Sequence, residues 1–164
     1  MARTTQAVRI ERHGGPDVLA EREIPLADPG ADEVHLKTLA TGVNFADLLM
    51  RAGIYSTVPP MPYSPGFEVV GVVERVGPGV TEWREGDRAV ALIRHGGYAR
   101  DLIVPLRNLF RCPADLSPAD AAAVPVAFLT AWVCLFDAGN AKRGETALVL
   151  NAAGGVGSAA VQLA

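Results

Sequence analysis

Residues 151–164 read NAAGGVGSAAVQLA and follow directly on the apolar run TALVL at residues 146–150. A short, continuously apolar run bounded by turn residues fits a strand buried on both faces, as parallel sheets require. Behind it, Ala152-Ala153-Gly154-Gly155-Val156-Gly157 has A-x-G-x-x-G spacing, with Ala in the first glycine position of the dinucleotide fingerprint. Each position has a physical reason: a tight strand-to-helix turn, a bare backbone at Gly154 where it meets a pyrophosphate, and close helix packing at Gly157. The stretch SAAVQLA then reads as a small-residue helix, whose N-terminal N–H groups and partial positive charge suit phosphates. Strand, glycine turn and helix together predict the opening of an α/β dinucleotide-binding unit. The side chain that would choose between a ribose 2′-hydroxyl and a 2′-phosphate lies about 20 residues beyond such a turn, past Ala164, so spacing leaves NAD versus NADP open.

Upstream, the sequence alternates short apolar stretches with turn clusters, as a β-rich domain should. AVRI and VLAERE flank the turn HGGPD and predict a hairpin, and EVHLKTLATGV places Val34, Leu36, Thr38 and Ala40 on one face of a half-buried strand. NFADLLMRAGIY sets Phe45, Leu48 and Leu49 at helical spacing and closes on Gly53, a suitable C′ residue. A proline-stiffened loop, PPMPYSPG, leads into FEVVGVVERVG, where Gly71 predicts a bulge or a close backbone approach. Shorter strands follow in GDRAVALI, YARDLIV and NLFR. At Ser117 the pattern changes, because SPAD offers an N-cap Ser, a Pro at the first helical position and an Asp three residues after the cap. Beyond Pro125, VAFLTAWVCLFDAGN predicts an apolar helix with Gly139 as its stop. The expected division is a β-rich domain over residues 1–125, and over 126–164 a connecting helix, one strand, the glycine turn and a partial helix.

A net charge of −3, with no Lys/Arg cluster, gives no electrostatic footprint for nucleic acid or an anionic membrane. No apolar run approaches the ~20 residues that span a bilayer, and MARTTQAVRIERHGG lacks the apolar core of a secretory signal. A cytoplasmic location is the resulting expectation. Cys112 and Cys134 lie in unrelated contexts without a CxxC or a neighbouring His, and read as buried or half-buried free thiols. His13, His35 and His95 are isolated from the cysteines and from one another, so no metal set is expected and each reads as a surface or turn imidazole. On pattern alone Asn44 is a strand end, Tyr55 a helix-end aromatic and Thr130 a helix-buried hydroxyl.

Four stretches, GVNFADLLMRAGIY, PYSPGFEVVGVVERVGPGV, GDRAVAL and FLTAWVCLFDAGNAKRGETALVLNAAGGVGSAAVQLA, together resemble the zinc-independent quinone oxidoreductase (ζ-crystallin-like) branch of the medium-chain dehydrogenase/reductase family. NFADLLMRAGIY and LFDAGN look most like its subgroup of synaptic-vesicle amine-transport protein homologues. The resemblance runs through essentially the whole chain. It implies a mainly β, GroES-like β-barrel catalytic domain followed by an incomplete Rossmann domain, with NADPH bound in the cleft between them. Zinc-dependent members carry a Cys and a His where this sequence has Asn44 and Phe67, although Glu68 remains. Asn, Phe and one carboxylate cannot hold such an ion, so the resemblance implies no zinc.

By position, the resemblance assigns Asn44 and Tyr55 to the nicotinamide and substrate pocket, with Tyr55 polarising or protonating a quinone or enone carbonyl. It brings Thr130 to the nicotinamide carboxamide and gives the pyrophosphate to the turn containing Ala152, Gly154, Gly155, Val156 and Gly157. The family's catalytic domain is completed by a segment returning after the Rossmann domain, so this chain reads as an N-terminal fragment, inactive alone, of an enzyme that is a homodimer at full length. The strand at Ala147 to Leu150 would then lose much of a burial of about 1.5–3 kcal/mol per side chain. Two alternatives accompany this reading: a non-enzymatic GroES-like interaction protein related to the vesicle-associated homologues, and a fragment of an enoyl reductase domain.

Overall fold

The computed structural model describes residues 3–164. They divide into two compact units, with the boundary between Ala122 and Ala123.

In the first unit, β1 (Arg3–Ile10) and β2 (Leu19–Leu26) form the expected antiparallel hairpin, paired Arg3 to Leu26 through Ile10 to Leu19. A five-stranded antiparallel sheet follows in the order β6-β3-β4-β5-β7, built from β3 (Glu33–Thr41), β4 (Glu68–Val76), β5 (Arg88–Leu92), β6 (Asp101–Pro105) and β7 (Leu109–Arg111). Single bridges, Ala7 to Ala99 and Ile10 to Tyr63, tie the hairpin to this sheet, so the β structure curls without closing into one continuous ladder. Val34, Leu36, Val69, Val73, Ala89, Ala91 and Val104 form the main core beneath the central strands. Gly71 faces Thr38 beside a register shift, and a Cβ there would run into the Lys37 carbonyl, the close backbone approach its place in a strand predicts.

The helix α1 (Phe45–Ala52) ends at Gly53, whose left-handed backbone (φ 77°) closes the last turn as a C′ glycine does. Its buried face differs from expectation. Asp47 and Met50 are buried, whereas Phe45 is 73% exposed. Further on, α2 (Pro118–Ala122) starts as its sequence predicts, with Ser117 Oγ accepting from the Asp120 N–H at 3.1 Å. Ala121 and Ala122 of α2 pack on Val70 and Val90.

The second unit holds α3 (Pro125–Trp132), a π-helical continuation Val133–Ala138 that stops at Gly139, and α4 (Gly155–Leu163). Ala131 packs against Ala159 and Ala160, so α3 and α4 meet through small side chains. The strand expected at 146–150 is absent. This segment has no strand pairing and enters a turn at Leu150, and Leu148 and Leu150 are 87% and 80% exposed. A strand needs a ladder for its N–H and C=O groups, and among the described residues nothing pairs with it.

Candidate functional site

The junction of β3, α1 and β4 concentrates the polar groups of the first unit. Asn44 is not a strand end: β3 stops at Thr41, and Asn44 is the N-cap of α1 in extended backbone. Its backbone N–H donates to Asp47 Oδ2 at 2.8 Å, the returning half of a capping box, while Asp47 Oδ1 accepts the Gly66 N–H at 2.8 Å. The Asn44 side chain also reaches β4, where its Nδ2 donates to Glu68 Oε1 at 2.8 Å. Asp47 and Glu68 are thus two buried carboxylates within one short stretch of fold. The Tyr98 hydroxyl is buried beside them without reaching hydrogen-bond geometry. Burial first, then the Asp47 and Glu68 charges, push its pKa well above the usual tyrosine range. Tyr63 is raised for the same leading reason, and its hydroxyl donates to the Met50 carbonyl at 2.8 Å.

Tyr55 follows α1 directly and is half-buried. Its ring meets Phe67 edge to face, with centroids 5.9 Å apart. Both line a cleft of about 500 Å³ that continues past Val58, Ile93 and His95. Partial burial holds the His95 imidazole below its ordinary pKa, and the adjacent Arg94 contributes the positive charge of this wall. Asn44 and Tyr55 are therefore held by consecutive residues, Glu68 at the start of β4 and Phe67 just before it.

Thr130 lies on α3 and is exposed, not the buried hydroxyl its apolar neighbours suggest. Ala152 lies in the turn ahead of α4, which starts from Gly154 as N-cap, so Gly155, Val156 and Gly157 supply the first turn with its free N–H groups. A Cβ at Gly157 would collide with the Asn151 carbonyl, whereas Gly155 opens onto free space. Such a turn, bare on its outer side, fits a pyrophosphate.

His35 corrects another expectation. It is 2% exposed in the central strand β3, not a surface imidazole. Its Nε2 lies 3.0 Å from Asp101 Oδ1, and Arg75 Nε donates to its Nδ1 at 3.4 Å. With Glu74, His35 and Asp101 bring ligand atoms within 4.8 Å of one another, but Glu74 also pairs with Lys37 at 3.0 Å. Hydrogen bonds and ion pairs thus already engage every member. Both cysteines are free thiols, Cys112 half-buried and Cys134 exposed.

Sequence reading missed Asp47, Glu68 and Tyr98 as parts of the site. Asp47 had a local signal, its position three residues after a capping Asn. Tyr98 had none, and Glu68 stood out only by its place beside the former zinc positions, not as the partner of Asn44, which it meets across 24 residues of sequence.

The profile of the alcohol dehydrogenase GroES-like domain matches residues 30–114. The chain belongs to this family. Within it, the synaptic vesicle membrane protein VAT-1 homolog of Homo sapiens is 43% identical over 152 residues, 92% of this chain and 39% of that protein. A quinone oxidoreductase of Lama guanicoe is 37% identical over 164 residues, 99% of this chain and 50% of that protein. Among solved structures, the quinone oxidoreductase of Thermus thermophilus, described with its NADPH complex, superposes at a TM-score of 0.84 with 44% identity, covering 96% of this chain and 49% of that one. The chain spans half or less of the length of these relatives. The GroES-like match covers β3 to β7 and α1, and so contains Asn44, Tyr55, Phe67 and Glu68. No helix among the described residues is long and apolar enough to cross a membrane.

Proposed function

We propose that this GroES-like chain supplies the substrate-facing domain and the phosphate turn of an NADPH-dependent, zinc-independent reductase acting on quinones or α,β-unsaturated carbonyls. The observation that carries the reading is the seating of Asn44 and Tyr55 on the adjacent residues Glu68 and Phe67, in a relative of quinone oxidoreductases. NADPH, when bound, supplies the hydride. As negative charge grows on the substrate carbonyl oxygen, the Tyr55 hydroxyl donates to it and stabilises the transition state more than the ground state. Asn44 orients the reacting groups, Thr130 holds the nicotinamide carboxamide, and the turn from Ala152 through Gly154, Gly155, Val156 and Gly157 binds pyrophosphate with backbone N–H groups. The donors around Asn44 are an amide and a carboxylate already bonded to each other, beside a phenyl ring, which is a poor set for zinc.

Since the chain matches only about half of its quinone oxidoreductase relatives, the 164-residue chain alone is expected to give no quinone-dependent NADPH oxidation. Extending the reading frame beyond codon 164 tests this: the account expects continuing βα units and a product that oxidises NADPH with a quinone. In that product Tyr55→Phe lowers kcat by about 10²–10³-fold, as loss of one oxyanion donor does. Full turnover by Tyr55→Phe contradicts the role, and robust turnover by the chain alone contradicts the incompleteness. A second reading, a non-enzymatic interaction protein, is favoured by the 43% identity to a vesicle membrane protein and by the exposed apolar Val43, Phe45 and Ile54. A stop codon followed by unrelated sequence supports it.

A further inference from the structure

Glu68, the first residue of β4, is 3% exposed, and its carboxylate faces the Asn44 side chain across 24 residues of sequence. An amide can turn either end toward a neighbour, but a carboxylate only accepts. The 2.8 Å contact from Asn44 Nδ2 to Glu68 Oε1 therefore decides the orientation of the carboxamide. The Glu68 carboxylate packs closely on the backbone of Gly42. A Cβ on Gly42 would collide with its Oε1, Cδ and Cγ, so the absence of a side chain at 42 makes room for it. Around the same residue, the Thr41 hydroxyl donates to the Glu68 carbonyl at 2.8 Å and the Gly42 N–H donates to that carbonyl at 3.3 Å. Asn44 is thus fixed twice, at its backbone by Asp47 and at its side chain by Glu68.

We infer that Glu68 is a positioning residue for Asn44, holding its carboxamide in one of the two flips. One amide proton of Asn44 is committed to Glu68. Its second amide proton then meets a bound molecule in a fixed orientation. The inference rests on the reading of Asn44 as a pocket residue only for its consequence; the positioning itself stands on the geometry.

Nitrogen-15 NMR of the 164-residue chain tests it, with the Asn44 side-chain NH2 resonances assigned by their loss in Asn44→Ala. In the wild type the two protons are resolved and one exchanges slowly. Glu68→Gln keeps the shape and removes the charge, and exchange of that proton becomes about five- to tenfold faster, as a charged hydrogen bond gives way to a neutral one. Glu68→Ala abolishes the protection. Exchange of the α1 backbone amides stays unchanged in Glu68→Gln, which separates positioning from general loosening. Asn44 side-chain exchange within about twofold of wild type in Glu68→Gln overturns the inference. If Asn44→Ala in the longer enzyme leaves turnover intact, the pocket role of Asn44 falls while the Glu68 dependence of its amide stands, so the two failures are told apart.

Discussion

The two units of the chain show what the same apolar letters do with and without partners. In the first, Val34, Leu36 and Val69 are wholly buried on β3 and β4, which have neighbours on both sides. In the second, TALVL is as apolar as any strand of the first unit, yet Leu148 and Leu150 face solvent, and the fully buried apolar side chains of that unit, among the described residues, are alanines. Alanine buries little area, so α3 and α4 gain far less from contact than the sheet does. Periodicity specifies which face wants burial, but a neighbouring element has to supply it.

Truncating one leucine in each unit has the largest expected effect. Leu36→Ala removes a fully buried side chain and is expected to cost about 2–5 kcal/mol, whereas Leu148→Ala at an exposed position is expected to stay within about 0.5 kcal/mol. Urea unfolding followed through Trp83, which lies in the main core, reads both. Equal losses would mean that 146–150 is buried in solution. A somewhat smaller effect is expected at Asp47. Replacement by Ala leaves the Gly66 and Asn44 N–H groups without their acceptor and costs about 2–4 kcal/mol, against little for Asp17→Ala on the exposed surface. Circular dichroism on thermal unfolding checks it.

The smallest effect is electrostatic. The Arg84 backbone N–H, followed by the Arg111 guanidinium, holds Asp87 below the usual carboxylate range. A depressed pKa contributes stability that is complete above the unfolded Asp range and is lost as pH falls through the lower, folded value. Asp87→Asn therefore narrows its stability gap to wild type as the medium is acidified below that range. A gap that widens with acid would contradict the assignment. Since its partner Arg111 is exposed, salt should shrink the gap as well.

Strand order could not be seen in the sequence, but most strands could, because alternation and turn residues are local signals. The hairpin, the C′ glycine at 53, the close approach at Gly71 and the Ser117 cap all follow from residues within a few positions. Failures share one cause, a partner far away in sequence. Helix α1 turns Asp47 inward instead of Phe45 because the Gly66 N–H needs an acceptor there. His35 is buried because β4 brings Arg75 opposite it and β6 brings Asp101 beside it. In the candidate site, the family resemblance marked Asn44 and Tyr55, but their pairing with Glu68 and Phe67 was not legible, since those two arrive from β4 and its approach.

Residue-resolved hydrogen exchange on the 164-residue chain, with and without NADPH, reads the contrast and the functional proposal together. The account predicts strong protection through β3, β4 and α1, near-intrinsic exchange at 146–151, and no protection of residues 154–157 by micromolar NADPH. Protection of 146–151 equal to that of β4, or NADPH-induced protection of the glycine turn at that concentration, would contradict it.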